Sequence, residues 1–263
     1  MNKLKYLSLL TILLTPFFLN AQTITVDGYF NKEFKKDKAG NSVRFHYTWD
    51  DTENTGFSKF GGAFKANGGK ELKRLDAAPT AENLKGTNVY IIVDPDNLKD
   101  NPKPNYLTAK DADEIVKWVK AGGVLFIMAN DSANADLQHL NILAGKFGLK
   151  FNKDIILHVS DDDHFADGGL NTSKAKSIFK TSERVFLKDV CSISIEKPAQ
   201  SILKDKNGSN VIVSSKFGKG IVLAVGDPWL YNEYVNGRLP KEFENDKAMN
   251  DIAAWLISKS KGN

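Results

Sequence analysis

The chain has 263 residues, of which 41% are apolar and 26% charged, a composition typical of a folded protein with room for one large domain. The formal net charge is only +4, so we expect no nucleic-acid partner. The single cysteine, Cys191, excludes an intramolecular disulfide and a cysteine-based zinc site.

The first 21 residues have the pattern of a secretory signal peptide. Two lysines precede an apolar run from Leu7 to Leu19, and Ala21 stands at the expected cleavage point. The run is short for a membrane span, and no second apolar run follows it. We therefore expect residues 22–263 to form a single exported domain without a membrane span, located in the periplasm or secreted.

The first elements of that domain are predicted from apolar spacing. Apolar and polar residues alternate from Val43 to Trp49, which predicts a strand. Phe57, Phe60 and Phe64 follow at helical spacing and predict a short helix, which a glycine-rich stretch ends.

The middle of the chain alternates buried strands with a helix. The continuous apolar runs 89–93 and 124–128 are typical of strands buried on both faces. Between them, Thr108 and Asp111 have the spacing of a capping box, and an apolar stripe over 112–119 predicts the helix that follows.

The last elements continue the same alternation. A further helix is predicted to end over 141–147, and strands 211–215 and 221–225 flank a tight turn. The apolar stripe over 248–257 predicts a C-terminal helix. Strands that alternate with helices indicate a three-layer α/β fold with a mostly parallel central sheet.

Polar and aromatic residues collect directly after the predicted strands. Parallel strands bring such residues to one carboxyl edge of the sheet, where open α/β sheets bind ligands. Each cluster alone is equally typical of turns. Aromatic rings among acidic and amide side chains suit a sugar ligand. The members are Trp49, Asp94, Asp96, Asn130, Asp131, Asp227, Trp229, Asn232 and Tyr234.

Other candidate sites give weaker signals. His158 and His164 flank an acidic run, but their spacing matches no strong metal motif, so we expect no metal. The Gly-rich turn 216–220 is not a phosphate loop, because no helix follows it. His46 stands beside Arg44 on the polar side of its predicted strand, where it is either a structural histidine or a general base.

Seven motifs spread over nearly all of residues 22–263 match one known family. They are Tyr29-Phe30-Asn31-Lys32-Glu33, His46-Tyr47-x-Trp49-Asp50-Asp51, Asn54-x-Gly56-Phe57-Ser58, Val93-Asp94-Pro95-Asp96, Trp118-Val119-Lys120-Ala121-Gly122-Gly123, Asn130-Asp131 and Gly226-Asp227-Pro228-Trp229-Leu230-Tyr231-Asn232-Glu233-Tyr234. Together they resemble the exported glutamine-amidotransferase-like domain of Bacteroidetes, which occurs alone or fused to unsaturated uronyl hydrolases. The resemblance implies a flavodoxin-like, class I glutamine-amidotransferase-like fold. The amidotransferase nucleophile is missing, so that chemistry is not implied.

A stand-alone member of this size is similar to the oligosaccharide dehydratase of ulvan degradation. The resemblance implies removal of water from a non-reducing-end glucuronate or iduronate of an anionic oligosaccharide. The product is a 4,5-unsaturated uronate that neighbouring hydrolases consume. The reaction needs no redox cofactor, so we expect no cofactor.

Uronate dehydration requires donors on the carboxylate, a base near C5 and an acid near O4. The candidates are Arg44 and Asn130 for the carboxylate, His46 and Tyr231 for the base, and Tyr47, Glu233 and Tyr234 for the acid. Of these, we expect His46, Tyr231 and Glu233 to carry the proton transfers. The alternative is a non-catalytic carbohydrate-binding accessory protein, which would show the same aromatic residues but would need no base.

Overall fold

The computed structural model describes residues 22–261; the predicted signal peptide, residues 1–21, lies outside the described residues. The strands are β1 (Gln22–Asp27), β2 (Phe34–Lys36), β3 (Ser42–Arg44), β4 (Gly69–Leu75), β5 (Val89–Val93), β6 (Val124–Met128), β7 (Leu149–Phe151), β8 (Gly169–Asn171), β9 (Arg184–Phe186), β10 (Ile193–Ile195), β11 (Ala199–Lys204), β12 (Asn210–Phe217) and β13 (Gly220–Val225). The α-helices are α1 (Ser58–Ala66), α2 (Ala109–Ala121), α3 (Leu137–Ala144) and α4 (Asn245–Ser260).

Seven strands form the central sheet, in the order β11-β12-β13-β6-β5-β1-β4. Neighbouring strands from β13 to β4 are parallel, whereas β12 is antiparallel to both of its neighbours. Three two-stranded sheets, β2–β3, β7–β10 and β8–β9, lie outside it. The structure therefore confirms an α/β fold with a mostly parallel central sheet.

Helices cover both faces of the sheet, and β5 shows why its sequence is continuously apolar. Val89, Ile91 and Val93 face the core that also contains α1 and α4 side chains. Tyr90 and Ile92 face the opposite core, with α2 and α3. Because successive side chains of a strand alternate between faces, a strand covered on both sides needs apolar residues at every position.

The helix ends that the sequence predicted are present in the structure. The Thr108 side chain accepts a hydrogen bond from the backbone N–H of Asp111, and the Asp111 side chain caps Thr108 in return, at the start of α2. Gly122, with φ of 129°, ends that helix, since this conformation has little cost only for glycine. The phenylalanine spacing correctly predicted α1, whose Phe60 and Phe64 are fully buried.

The predicted strand over residues 43–49 is wrong. Strand β3 ends at Arg44, because His46 and Tyr47 have φ of 67° and 53° and turn the chain out of the extended conformation. Within residues 22–261, no helix is both long enough and apolar enough to cross a membrane.

Candidate active site

The carboxyl ends of the parallel strands bring three predicted site residues to one edge. Asp94 follows β5, Asn130 follows β6 and Asp227 follows β13, and all three are buried. The topology therefore assembles the edge that the sequence predicted.

An imidazole backed by a carboxylate stands at this edge. His46 Nδ1 forms a short contact with Glu33 Oε1, from the segment that precedes β2. The imidazole is stacked between two rings, with centroid distances of 5.1 Å to Phe45 and 4.5 Å to Tyr47. This contact and the stacking fix the orientation of the imidazole, so that Nε2 is left for a ligand.

Three residues of this site have left-handed backbone conformations. The φ angles are 67° at His46, 53° at Tyr47 and 44° at Asp94. Such conformations cost on the order of 1–2 kcal/mol each in non-glycine residues and concentrate at functional sites. Backbone hydrogen bonds hold them: Tyr47 N–H donates to Thr55 O at 2.6 Å, and Asp94 N–H donates to Met128 O at 2.8 Å.

Asp94 is the central carboxyl group of the site and is only 6% exposed. Burial raises its pKa to about 7, although the charge of His46 and the polar Asn130 amide lower it. Burial lowers the pKa of His46. Glu33, Asp94 and Asp100 raise this pKa by more than burial lowers it, so the net pKa lies above the ordinary value. The Asp94 carboxyl can therefore exchange a proton near neutral pH.

Tyr47 supplies a proton donor beside this pair. Tyr47 is 2% exposed and its ring stacks on His46, and burial together with the charges of Asp94, Asp227 and Glu33 raises its pKa well above 10. The phenol therefore stays protonated at neutral pH and can donate a hydrogen bond or a proton.

The other carboxylates at the edge accept hydrogen bonds from loop residues and so fix the positions of the loops. Asp227 is fully buried and accepts hydrogen bonds from the backbone N–H groups of Lys188 and Trp229, both at 2.8 Å, and burial raises its pKa to about 8. Asp96 accepts hydrogen bonds from Lys32 N–H and from an asparagine amide, and burial raises its pKa to about 6. Asp131 accepts from Ala133 N–H in the loop after β6.

The Arg44 guanidinium is bound by groups of the protein itself. Its guanidinium donates to the backbone oxygens of Gly28 at 3.0 Å and Asn31 at 2.6 Å and forms an ion pair with Asp76. Arg44 thus ties β3 to the loop after β1, and the prediction that it binds substrate is corrected.

Trp49 also belongs to the scaffold. Its indole N–H donates to Lys73 O at 2.7 Å, and its ring packs on Phe57, Phe60 and Phe64. The structure therefore separates Trp49 from the carboxyl-edge cluster, contrary to the prediction.

Tyr231 and Glu233 are not placed for proton transfer with His46. Tyr231 is 1% exposed, its ring stacks on Phe60 at 4.6 Å, and its hydroxyl is enclosed in the core. Glu233 accepts hydrogen bonds from Ser58 Oγ and from Lys59 N–H at 2.7 Å, at the start of α1. The intervening Asn232 is buried as well. The prediction that Tyr231 and Glu233 act with His46 is therefore corrected: one packs the core and the other caps a helix.

Trp229 and Tyr234 form an aromatic pair next to Asp227, with ring centroids 4.1 Å apart. Lys188 Nζ lies 5.4 Å from the Trp229 ring centroid, and the Arg238 guanidinium lies 3.9 Å from that of Tyr234. Both predicted ligand-binding aromatics are thus at the edge, with a cation against each.

Sequence reasoning missed Glu33 as a member of the site. Glu33 belongs to one of the family motifs, but no spacing relates it to His46, because the two meet through the β2–β3 hairpin. Among residues 22–261, no group of three or more histidine, cysteine, aspartate or glutamate side chains is placed to hold a metal ion.

Comparison with protein-family models and with curated protein sequences gives no match. Among solved structures, the mmIFT52 N-terminal domain superimposes with a TM-score of 0.63 and 15% identity, over 89% of this chain and 96% of that chain. A cytoplasmic protein from Salmonella typhimurium LT2 gives 0.50 and 13%, over 78% and 87%. A β-galactosidase from Bacillus circulans gives 0.49 and 13%, over 92% of this chain but 31% of its own. At these identities the first two show a shared fold alone, and the third supports no argument.

Proposed function

We propose that this protein is a carbohydrate dehydratase that removes water from a non-reducing-end uronate of an oligosaccharide, with ulvan as the source. The observation that carries the proposal is the constellation of Glu33, His46, Tyr47 and Asp94 at the carboxyl edge. It supplies an oriented base and a protonated donor side by side, the two groups that the elimination requires.

In the proposed mechanism, His46 Nε2 takes the proton from C5, while Glu33 holds the opposite nitrogen. The electron pair of the broken C5–H bond forms the C4=C5 double bond, and the C4–O4 bond breaks. The Tyr47 hydroxyl gives its proton to O4, which leaves as water. A later proton transfer from the imidazolium to the tyrosinate restores both groups.

The uronate carboxylate gathers negative charge as the C5 proton leaves, so hydrogen-bond donors must face it. The Asn130 amide and the Asp94 carboxyl, which has a pKa of about 7, are the donors of the site. Asn130 was one of the two residues expected in this role, and Arg44 is occupied elsewhere.

The proposal is tested by substituting the base and its partner. Asparagine tolerates the left-handed backbone at position 46, so His46→Asn removes the base with little added strain. We expect His46→Asn and Glu33→Gln to slow the appearance of the enoate ultraviolet absorbance by about 10²–10⁴-fold. Exposed Glu82 offers a matched control, and Glu82→Gln should keep the wild-type rate. Wild-type rates in both site variants would rule the mechanism out.

Three wider assignments belong to the same proposal. We propose the flavodoxin-like, class I glutamine-amidotransferase-like arrangement as the finer fold, export to the periplasm as the location, and unsaturated uronyl hydrolases as the enzymes that consume the product. The parallel core of the sheet supports the first.

The aromatic pair Trp229–Tyr234 also suits a non-catalytic carbohydrate-binding protein, which is the second candidate function.

A further inference from the structure

The proposed site has an unbalanced charge. Glu33, Asp94 and Asp100 all raise the pKa of His46, and the charge of His46 in turn lowers the pKa of Asp94. Asn130 and Asp94 provide donors for the carboxylate of the terminal uronate, and any further anionic group of the oligosaccharide needs a cation at this edge. Arg44 cannot serve, since its guanidinium is bound to two backbone oxygens and Asp76.

Lys188 lies at the same edge, beside the end of β13. Its backbone N–H donates to Asp227 Oδ2 at 2.8 Å, and Trp229 N–H donates to the other oxygen of that carboxylate at 2.8 Å. One fully buried carboxyl group thus holds the backbones of Lys188 and Trp229 next to each other.

The charge of Lys188 is available to bind an anionic ligand, whereas the charge of the neighbouring Arg238 is already paired. Arg238 pairs with Asp162 at 2.6 Å while it lies on the Tyr234 ring. Lys188 Nζ lies against the Trp229 ring, and within residues 22–261 it has no carboxylate partner. An aromatic face attracts an ammonium group without neutralising it, so the group is held in place and keeps its charge for a ligand.

We propose that Lys188, positioned by Trp229, binds a carboxylate or sulfate group of the substrate and so fixes which way the oligosaccharide lies across the edge. The inference rests on the proposed function, because the ligand is the anionic oligosaccharide assumed there. The terminal uronate then lies at His46, with its carboxylate at Asn130 and Asp94, and Lys188 holds an anionic group elsewhere on the oligosaccharide.

The test is calorimetric binding of a uronate-terminated sulfated oligosaccharide to the full chain. We expect Lys188→Gln to weaken binding by about tenfold or more, and Lys188→Arg to stay within about threefold of wild type, since the ion pair is lost in one and kept in the other. Lys150, exposed on β7, gives the control Lys150→Gln, which should bind like wild type. Equal binding by wild type and Lys188→Gln would overturn the inference.

Modified ligands identify the anion. If carboxyl-reduced ligand abolishes the difference between wild type and Lys188→Gln, the group is the carboxylate; if desulfated ligand does so, the group is the sulfate. Enoate formation is measured separately on the wild type. A Lys188 effect without enoate supports the inference and rejects the dehydratase, whereas enoate without a Lys188 effect rejects the inference alone.

Discussion

At His46, burial and charge act in opposite directions on one proton. Burial disfavours the imidazolium, while the contact with Glu33 and the charges of Asp94 and Asp100 favour it, and the pKa ends above 6.5. A general base must be neutral to accept a proton, so the same carboxylate that orients the imidazole also raises the pH at which it becomes active.

This balance predicts the pH dependence of turnover. For the wild type, kcat/KM should rise with pH as His46 loses its proton and fall as Asp94, whose pKa is about 7, loses the proton that it donates, while Tyr47 should impose no loss of rate below pH 10. Glu33→Gln removes an interaction that raises the His46 pKa, so the rising limb of its residual activity should move to lower pH. A rising limb at the same pH in both proteins would contradict this account of His46.

Asp94 links the site to stability. Its pKa is about 7 in the folded chain against an ordinary value of 3.8, so the native state holds a proton that the unfolded chain has lost. The free energy of unfolding therefore falls as pH rises from about 4 to about 7.

Asp94→Asn removes this proton linkage, and asparagine suits the left-handed backbone there. At about pH 8 we expect the free energy of unfolding of the variant to exceed that of wild type by at least about 1 kcal/mol, or about 2–4 °C in Tm. Near about pH 4 the two proteins should be equally stable. Thermal melts at both pH values measure the difference. A gap in Tm that does not change with pH would show that Asp94 is ionised in the folded state.

At the scale of elements, the start of α1 explains why an acidic residue is buried at position 233. Glu233 is 7% exposed and accepts hydrogen bonds from Ser58 and the Lys59 backbone, where the helix dipole favours a negative charge. Phe57, at the N-cap position, provides no side-chain cap. Glu233 therefore takes the place of the missing cap.

Glu233→Gln should consequently destabilise the fold and spare activity. Loss of the charge at the helix start is expected to cost about 0.5–1 kcal/mol, or about 1–4 °C in Tm. Exposed Glu242 gives the control Glu242→Gln, which should melt like wild type. A large loss of kcat in Glu233→Gln with an unchanged Tm would instead restore a catalytic role for Glu233.

The elements that could be predicted from sequence are those with local signals. Strands β5 and β6 match their predicted bounds, and the capping box of α2 is formed as expected. Strand β4 has no apolar alternation because it is the edge strand of the sheet, where charged residues are tolerated. The apolar alternation over 43–49 wrongly predicted a strand, because residues with left-handed backbone conformations interrupt it. Apolar spacing does not reveal such turns.

At the scale of the whole molecule, topology decides which parts of the site are predictable. Asp94, Asn130 and Asp227 were foreseeable, because parallel strands place their carboxyl ends at one edge. Glu33 and Lys188 were not, since each reaches the site through a contact with a residue distant in sequence. Tyr231 was misassigned because a spacing of two residues does not distinguish the core from the cleft.

The proposed reaction of the whole protein is the loss of one water from a terminal uronate. Wild-type protein should be incubated with a saturated, uronate-terminated oligosaccharide, and the mass and ultraviolet absorbance of the product recorded. The account predicts the loss of one water together with the absorbance of a conjugated enoate. An unchanged mass while the oligosaccharide binds would contradict the dehydratase and identify a carbohydrate-binding protein instead.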